Sequence, residues 1–239
     1  MQRYFARTLG ERVILSDDDV FHLTRVMRAR KGDNIEIVSD GMVYIAEISS
    51  LRPLEINLVN KLKENNELTN EIILIASLIK GEKMDLVLQK ATELGVGEIV
   101  LLQSERSVVK IKKDDKEVKI KRFNKILKEA SEQSRRSRIP SLYRIIDMQS
   151  LRSVEADVKM IAYEGMEGST ESFNKVLDSI KPKQKVAILI GPEGGFSDKE
   201  VEIATKNKYK KVSLGRRILR AETASIYALS VISNYLERK

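Results

Sequence analysis

The sequence predicts an α/β protein in two parts: a small β domain over residues 1–67, then a mostly parallel sheet with helices on both faces over residues 68–239. Three observations predict it. Two β-rich runs meet at Asp40-Gly41, a dipeptide suited to the positive φ angles of a type I′ hairpin turn. The polar stretch Lys63-Glu64-Asn65-Asn66-Glu67 then reads as a linker. From Glu71 onward, short apolar runs alternate with stretches of helical period, the rhythm of βαβ units.

In the first part, a short helix is expected over Asp19–Arg28, with Ser16 or Asp17 near its cap. The hairpin strands are Asn34–Ser39 and Met42–Ile48, and Leu54–Val59 supplies another strand. In the second part, Ile72–Leu78 is a continuous apolar run, as in a strand buried on both faces. A helix follows over Lys83–Leu94 and ends at Gly95. Further strands are expected at Ile99–Leu102, Lys159–Ala162, Val186–Ile190 and Val212–Leu214. Helices are expected at Lys119–Arg136, Ser172–Ile180, Ser197–Asn207 and Glu222–Leu236.

Of the 239 residues, 42% are hydrophobic, enough for a sizeable core. The chain has no cysteine, which excludes disulfides, thiolate metal sites and cysteine nucleophiles. A single histidine, His22, argues against a histidine-rich metal site or a Ser-His-Asp triad, and no metal is expected. His22 itself reads as a packing residue. The N-terminus carries no signal-peptide pattern, and no apolar run approaches the roughly 20 residues of a membrane span. A soluble, cytoplasmic protein without a membrane partner is therefore expected. The net charge is +8, and residues 105–144 carry 14 Lys/Arg against 6 Asp/Glu, a surplus equal to that of the whole chain. Charge concentrated in one segment fits a phosphate-binding face, and equally a solvated helix rich in lysine.

Two loops stand out. Ile190-Gly191-Pro192-Glu193-Gly194-Gly195-Phe196-Ser197 carries an apolar strand into a glycine-rich turn, and Ser197 with Glu200 forms a capping box for the next helix. Ligands of open α/β sheets sit beyond the carboxyl ends of strands, where such loops lie. The loop is neither the dinucleotide fingerprint nor a phosphate loop. The second, Gly215-Arg216-Arg217-Ile218-Leu219-Arg220-Ala221-Glu222-Thr223-Ala224, follows Val212–Leu214. Its apolar Ile218 and Leu219 suit a pocket for a flat ring such as adenine. Either loop alone serves equally as a tight turn packed on the core; two at neighbouring strand ends favour a ligand site. In the basic helix, Ile120, Phe123, Ile126, Leu127, Ala130 and Ser134 form the buried stripe and leave Lys121, Arg122, Lys125 and Lys128 facing solvent. Arg135-Arg136-Ser137-Arg138 either complements the helix dipole or, beside Gln133, faces RNA. Arg25 and Arg28 share a helical face and present the same choice.

Taken together, these residues resemble the small-subunit ribosomal RNA methyltransferase E family of the SPOUT superfamily. The resemblance rests on His22-Leu23-x-x-Val26-Met27-Arg28 with Gly32-Asp33, and on Gln89-Lys90-Ala91-Thr92-Glu93-Leu94-Gly95-Val96. It continues through Glu105-Arg106-Ser107, Ala130-Ser131-Glu132-Gln133, Ile190 to Phe196, and Leu214-Gly215-x-x-Ile218-Leu219-Arg220-x-Glu222-Thr223-Ala224. It spans nearly the whole chain in order. One departure is Arg135, where the family's Gln-x-Gly-Arg pattern usually has glycine.

The resemblance implies a SPOUT domain whose C-terminal segment is threaded into a trefoil knot, and a PUA-like β-barrel at the N-terminus. Topology rules alone predict no knot. It implies a homodimer that uses S-adenosylmethionine to methylate N3 of a uridine in 16S rRNA of the 30S subunit. The cofactor would be held by Gly191, Glu193, Gly194, Gly195, Leu214, Gly215, Ile218, Leu219, Arg220, Thr223 and Ala224. RNA would be held by Arg3, Arg25, Arg28, Arg106, Gln133, Arg136 and Arg138. N3 of uracil is a poor nucleophile until its proton leaves, so the reaction needs a cation near O2 or O4. Arg220 is the first candidate and Arg136 the next; Glu222 or Glu193 is the candidate general base. A methyltransferase acting on another rRNA or tRNA nucleotide, and a non-catalytic RNA-binding assembly factor, stand as alternatives.

Overall fold

A computed structural model describes residues 1–164 and 171–238. The chain divides into two compact units, one of Met1–Glu67 with Lys128–Ile139, the other of Leu68–Leu127 with Pro140–Lys239. The expected division at residue 67 did not place Lys128–Ile139 with the first unit.

The first unit contains β1 (Arg3–Phe5), β2 (Arg7–Leu9), β3 (Arg12–Ile14), α1 (Asp17–Phe21), β4 (Asn34–Ser39), β5 (Met42–Leu51) and β6 (Leu54–Lys61). They form one sheet in the order β1-β4-β5-β6-β3-β2, antiparallel throughout except where β1 runs parallel to β4. Alternate residues face inward, and Tyr4, Val13, Leu23, Ile35, Ile37, Ala46, Ile48 and Ile56 form the core. The β4–β5 reversal falls at Asp40-Gly41, both at positive φ (49° and 74°), as the dipeptide predicts. β1, β2 and β3 escape sequence reading because three residues carry too little pattern; their sheet partners define them.

Ser16 caps α1 by accepting from the Asp19 amide, so the helix begins at Asp17, two residues ahead of the predicted start. The expected helix then widens into a π-helical turn over His22–Val26, and the chain leaves at Arg28, φ 52°. His22 Nδ1 lies 2.9 Å from the Tyr4 hydroxyl, which accounts for it as a packing residue.

The second unit contains β7 (Glu71–Ser77), α2 (Glu82–Glu93), β8 (Glu98–Leu102), the first turns of α3 (Lys116–Gln133), β9 (Ile145–Ile146), β10 (Val158–Ala162), β11 (Glu171–Ser172), α4 (Phe173–Asp178), β12 (Lys185–Ile190), α5 (Asp198–Lys206), β13 (Lys210–Ser213) and α6 (Ala221–Leu236). The sheet order is β11-β13-β10-β12-β7-β8-β9, and every neighbouring pair is parallel. Apart from the two-residue β9 and β11, every strand was expected. The central strands are apolar on both faces: Ile73, Ile75, Val100, Leu102, Ile161, Ala187 and Leu189 are buried on one, and Ile72, Leu74, Ile99, Leu101, Met160, Val186 and Ile188 on the other. Burying each of the Ile, Val and Leu side chains among them contributes about 1.5–3 kcal/mol. Because β10 stands between β12 and β13, the loops that leave these three strands emerge at the same sheet edge.

Candidate active site

The β12 loop takes its shape from its aromatic end. Phe196 is buried, and a Cβ on Gly191 would stand 3.1 Å from its ring, so a side chain where the strand turns out of the sheet would be tight against that ring. Ser197 and Glu200 then close the predicted capping box at the start of α5. The β13 loop turns at Gly215, whose φ of 128° a residue with a Cβ rarely adopts. The loop runs to Arg220, the residue preceding α6.

Glu200 does more than cap α5. While its Oε2 accepts from the Ser197 amide at 3.0 Å, its Oε1 accepts from the Glu105 amide at 2.8 Å. Ser197 Oγ in turn donates to Glu105 Oε2 at 2.8 Å. These bonds fasten the segment after β8 to the glycine-rich loop and bring in Arg106, whose Nη1 donates to the Gly194 carbonyl at 3.2 Å. A Cβ at Gly194 would meet the Arg106 Cβ at 3.2 Å, which accounts for glycine there.

The loops enclose a cavity of about 620 Å³, within the range that takes a small molecule. Of the predicted cofactor residues, Gly191, Glu193, Gly195, Leu214, Gly215, Ile218, Leu219, Arg220 and Ala224 line it. Gly194 and Thr223 do not, and neither does Glu222 of the predicted catalytic residues. Thr223 is exposed, and Glu222, a candidate base, stands back from the cavity with its side chain 13% exposed. Sequence reasoning missed Lys83, Ala162, Tyr163, Glu164 and Arg217, which also line it. Ala162 ends a predicted strand and residues 163–164 follow it, so the rule that marked the other loops applies to them too. Lys83 carried no signal, because nothing in its spacing says which strand end its helix flanks. Arg106, predicted for RNA, faces this cavity. Apolar Ala162, Leu214, Ile218, Leu219 and Ala224 beside the carboxylates of Glu164 and Glu193 suit an adenosine carrying a cationic side arm. S-adenosylmethionine therefore fits the residues present.

The predicted RNA ligands separate into two kinds. Arg25, Arg28 and Gln133 are exposed. Arg3 and Arg136 are not: they are 2% and 3% exposed. Arg3 donates to Glu36 and Glu64 at 2.8 and 2.9 Å, and Arg136 Nη2 to Glu67 at 2.6 Å. Both are thus corrected from RNA ligands, and Arg136 from a reserve catalytic cation, to buried ties within the first unit; a charge this buried is kept by its partners. Arg138, half-buried, shares Glu67 at 3.1 Å. Glu67, read as linker, is the hub. Burial pushes its carboxyl up, but the Arg136 hydrogen bond and charge, the Ser137 amide and Arg138 outweigh this and hold it below its ordinary value. In the basic helix Phe123, Leu127 and Ala130 are buried as predicted. Lys128 is half-buried between Asp19 and Glu132, at 2.5 and 2.6 Å, and Arg122 pairs with Asp85. These two do not form part of a free cationic face; the acidic partners lie far off in sequence or on a neighbouring turn. Among the described residues, no helix is long and apolar enough to cross a membrane, and no cluster of three acidic or histidine side chains is placed to hold a metal ion.

Comparison with known proteins gives a consistent picture. Residues 66–233 match the RNA methyltransferase domain family, and residues 15–59 match the RNA methyltransferase PUA domain family. The chain is 36% identical to the ribosomal RNA small subunit methyltransferase E of Bacillus subtilis (strain 168), over 99% of this chain and 98% of that protein. A methyltransferase of Legionella pneumophila, solved with its cofactor SAM bound, superposes with a TM-score of 0.88 at 31% identity, over 98% of this chain and 97% of that one. The ribosomal RNA small subunit methyltransferase E of Neisseria gonorrhoeae, solved bound to S-adenosyl methionine, gives a TM-score of 0.85 at 30% identity, again over 98% and 97%.

Proposed function

Because this chain belongs to the ribosomal RNA small subunit methyltransferase E family, we propose that it transfers the methyl group of S-adenosylmethionine to N3 of a uridine in 16S rRNA. One observation carries the reading: the glycine-rich loop after β12 and the loop after β13, which runs through Leu214, Gly215, Ile218 and Leu219 to Arg220, close on one cavity. When bound there, S-adenosylmethionine supplies a methyl group made electrophilic by its sulfonium. Backbone groups around Gly191, Gly195, Leu214 and Gly215 would hold it, and the apolar Ile218, Leu219 and Ala224, which line the same cavity, would suit its adenine. The carboxylates of Glu164 and Glu193 face its positive charge.

The protein's own contributions are alignment and charge. Holding the base in line with the methyl group recovers roughly 7–11 kcal/mol of barrier in well-oriented systems. Arg220, exposed on the cavity wall, offers a guanidinium to the uracil oxygens as N3 loses its proton. Replacing Arg220 by alanine abolishes methylation while calorimetry still finds cofactor binding; wild-type turnover removes Arg220 from the mechanism.

Arg25, Arg28, Arg106 and Gln133 are the exposed groups we assign to RNA. The active form is a homodimer with the C-terminal segment threaded as the SPOUT knot, and it works in the cytoplasm on the 30S subunit. The deciding experiment incubates purified protein with 30S subunits from a strain lacking the modification and maps the product by mass spectrometry. A methyl group on N3 of one uridine supports the reading. One on another nucleotide reassigns the substrate, and a chain that binds no S-adenosylmethionine has no such activity.

A further inference from the structure

Lys83 and Glu222 form a pair that the reaction above leaves unused. Lys83 lies in the first turn of α2, and its side chain is 40% exposed on the cavity wall. Its ammonium lies 3.5 Å from Glu222 Oε1. Glu222, in the first turn of α6, does not line the cavity, and its Oε2 is shut off from solvent without a hydrogen-bond partner among the described residues. A cation at the start of a helix opposes the helix dipole. Something must hold it there, and the Glu222 carboxylate does.

We propose that Lys83 is a substrate-facing cation that stabilises the uracil anion, and that Glu222 is the positioning residue that aims it. This rests on N3 methylation as the reaction. Lys83 pairs with Glu222 on α6; Glu82 and Asp85, the latter paired with Arg122, share its helical turn, and Arg106, Glu164, Glu193, Arg217 and Arg220 line the same cavity. Among the described lining residues, four cations (Lys83, Arg106, Arg217, Arg220) face two carboxylates (Glu164, Glu193). The donor's single carboxylate can use one of these cations, but its sulfonium has no use for the rest. A base that becomes an anion has.

The step balances without a protein base. N3–H gives its proton to bulk water, leaving negative charge on N3, O2 and O4. The nitrogen pair then forms the N3–CH3 bond as the CH3–S bond breaks and its electrons return to sulfur. A lysine beside O2 or O4 lowers the pH at which the first event occurs. Glu222 accepts no proton in this scheme, since its carboxylate stands behind the lysine and not in the cavity.

Single-turnover methylation of 30S subunits across pH tests this, with cofactor affinity measured separately by calorimetry. For Lys83→Met the rate at neutral pH falls about 10²-fold, the cost of losing one anion-stabilising donor. The deficit shrinks as pH rises, because hydroxide ionises N3 without help. Lys83→Arg recovers most of the rate. Glu222→Gln shows a smaller deficit that closes with pH in the same way, and all three bind S-adenosylmethionine as wild type does. The inference is overturned if Lys83→Met matches wild type at every pH, if its deficit is constant with pH, or if it loses cofactor affinity. It is equally overturned if Glu222→Gln is dead at every pH while Lys83→Met turns over, which would make Glu222 the base. Thermal melting of each variant identifies misfolding, and Lys83→Arg then decides. Wild type run alongside separates the two failures: if it leaves no methyl group on N3, the reaction itself is wrong and this inference falls with it.

Discussion

Arg135 and Glu67 show how single side chains carry consequences that their sequence neighbours conceal. Arg135 occupies φ 56°, the left-handed region that glycine enters freely and other residues enter at about 1–2 kcal/mol. The Gln-x-Gly-Arg pattern that this segment resembles has glycine there, and the backbone takes a path open to glycine. Arg135→Gly removes that strain while adding unfolded-state entropy of roughly 0.5–1 kcal/mol. The expected net is a gain of up to about 1 kcal/mol, read as a higher melting temperature; a fall of that size contradicts the strain argument. Glu67→Ala removes the carboxylate facing buried Arg136 and should cost about 3–5 kcal/mol, measured by denaturant unfolding. Linkage gives the sign with pH. Because folding holds the Glu67 carboxyl below its ordinary 4.5, its stabilisation is complete above that value and is lost as pH falls through the folded-state pKa. The acid limb of the stability–pH curve should therefore flatten in the Glu67→Ala variant.

At the scale of elements, α5 and the loop before it behave as one piece. Glu200 is 4% exposed and bonds both the Ser197 amide and the Glu105 amide. Replacing it by alanine does more than remove a cap, ordinarily worth about 1 kcal/mol: it frees the segment carrying Arg106 from the glycine-rich loop. Glu200→Ala should weaken cofactor binding in calorimetry, although Glu200 itself does not line the cavity. Ser197→Ala, which leaves the Glu105–Glu200 bond in place, should weaken it less. Equal losses in the two variants would mean that the Glu105 tie is idle. The helix at Asp17–Phe21 illustrates the opposite case: Ser16 caps it as its sequence promises, but its continuation as a π-helical turn is decided by what Leu23 and His22 pack against.

For the whole molecule, affinity for RNA should depend on salt, because exposed cations bind phosphate by releasing counterions. Replacing Arg25 and Arg28 together by alanine should lower the slope of log affinity against log salt by about two, with cofactor affinity unchanged; an unaltered slope removes them from the interface. Much of this protein was legible before any fold was known. Asp40-Gly41, the apolar runs at Ile72–Leu78 and Val186–Ile190, and the Ser197/Glu200 capping box are local devices, so their residues alone determine the turn, the buried strands and the helix start. The loops after β12 and β13 were legible for the same reason. What tertiary structure decided is everything that depends on partners distant along the chain: Arg3 and Arg136 drawn into carboxylates, Lys128 into Asp19, and Lys83 brought to Glu222 at the cavity wall. A sequence displays the charge of each such residue, but only the packed chain determines which opposite charge it meets and whether water still reaches it.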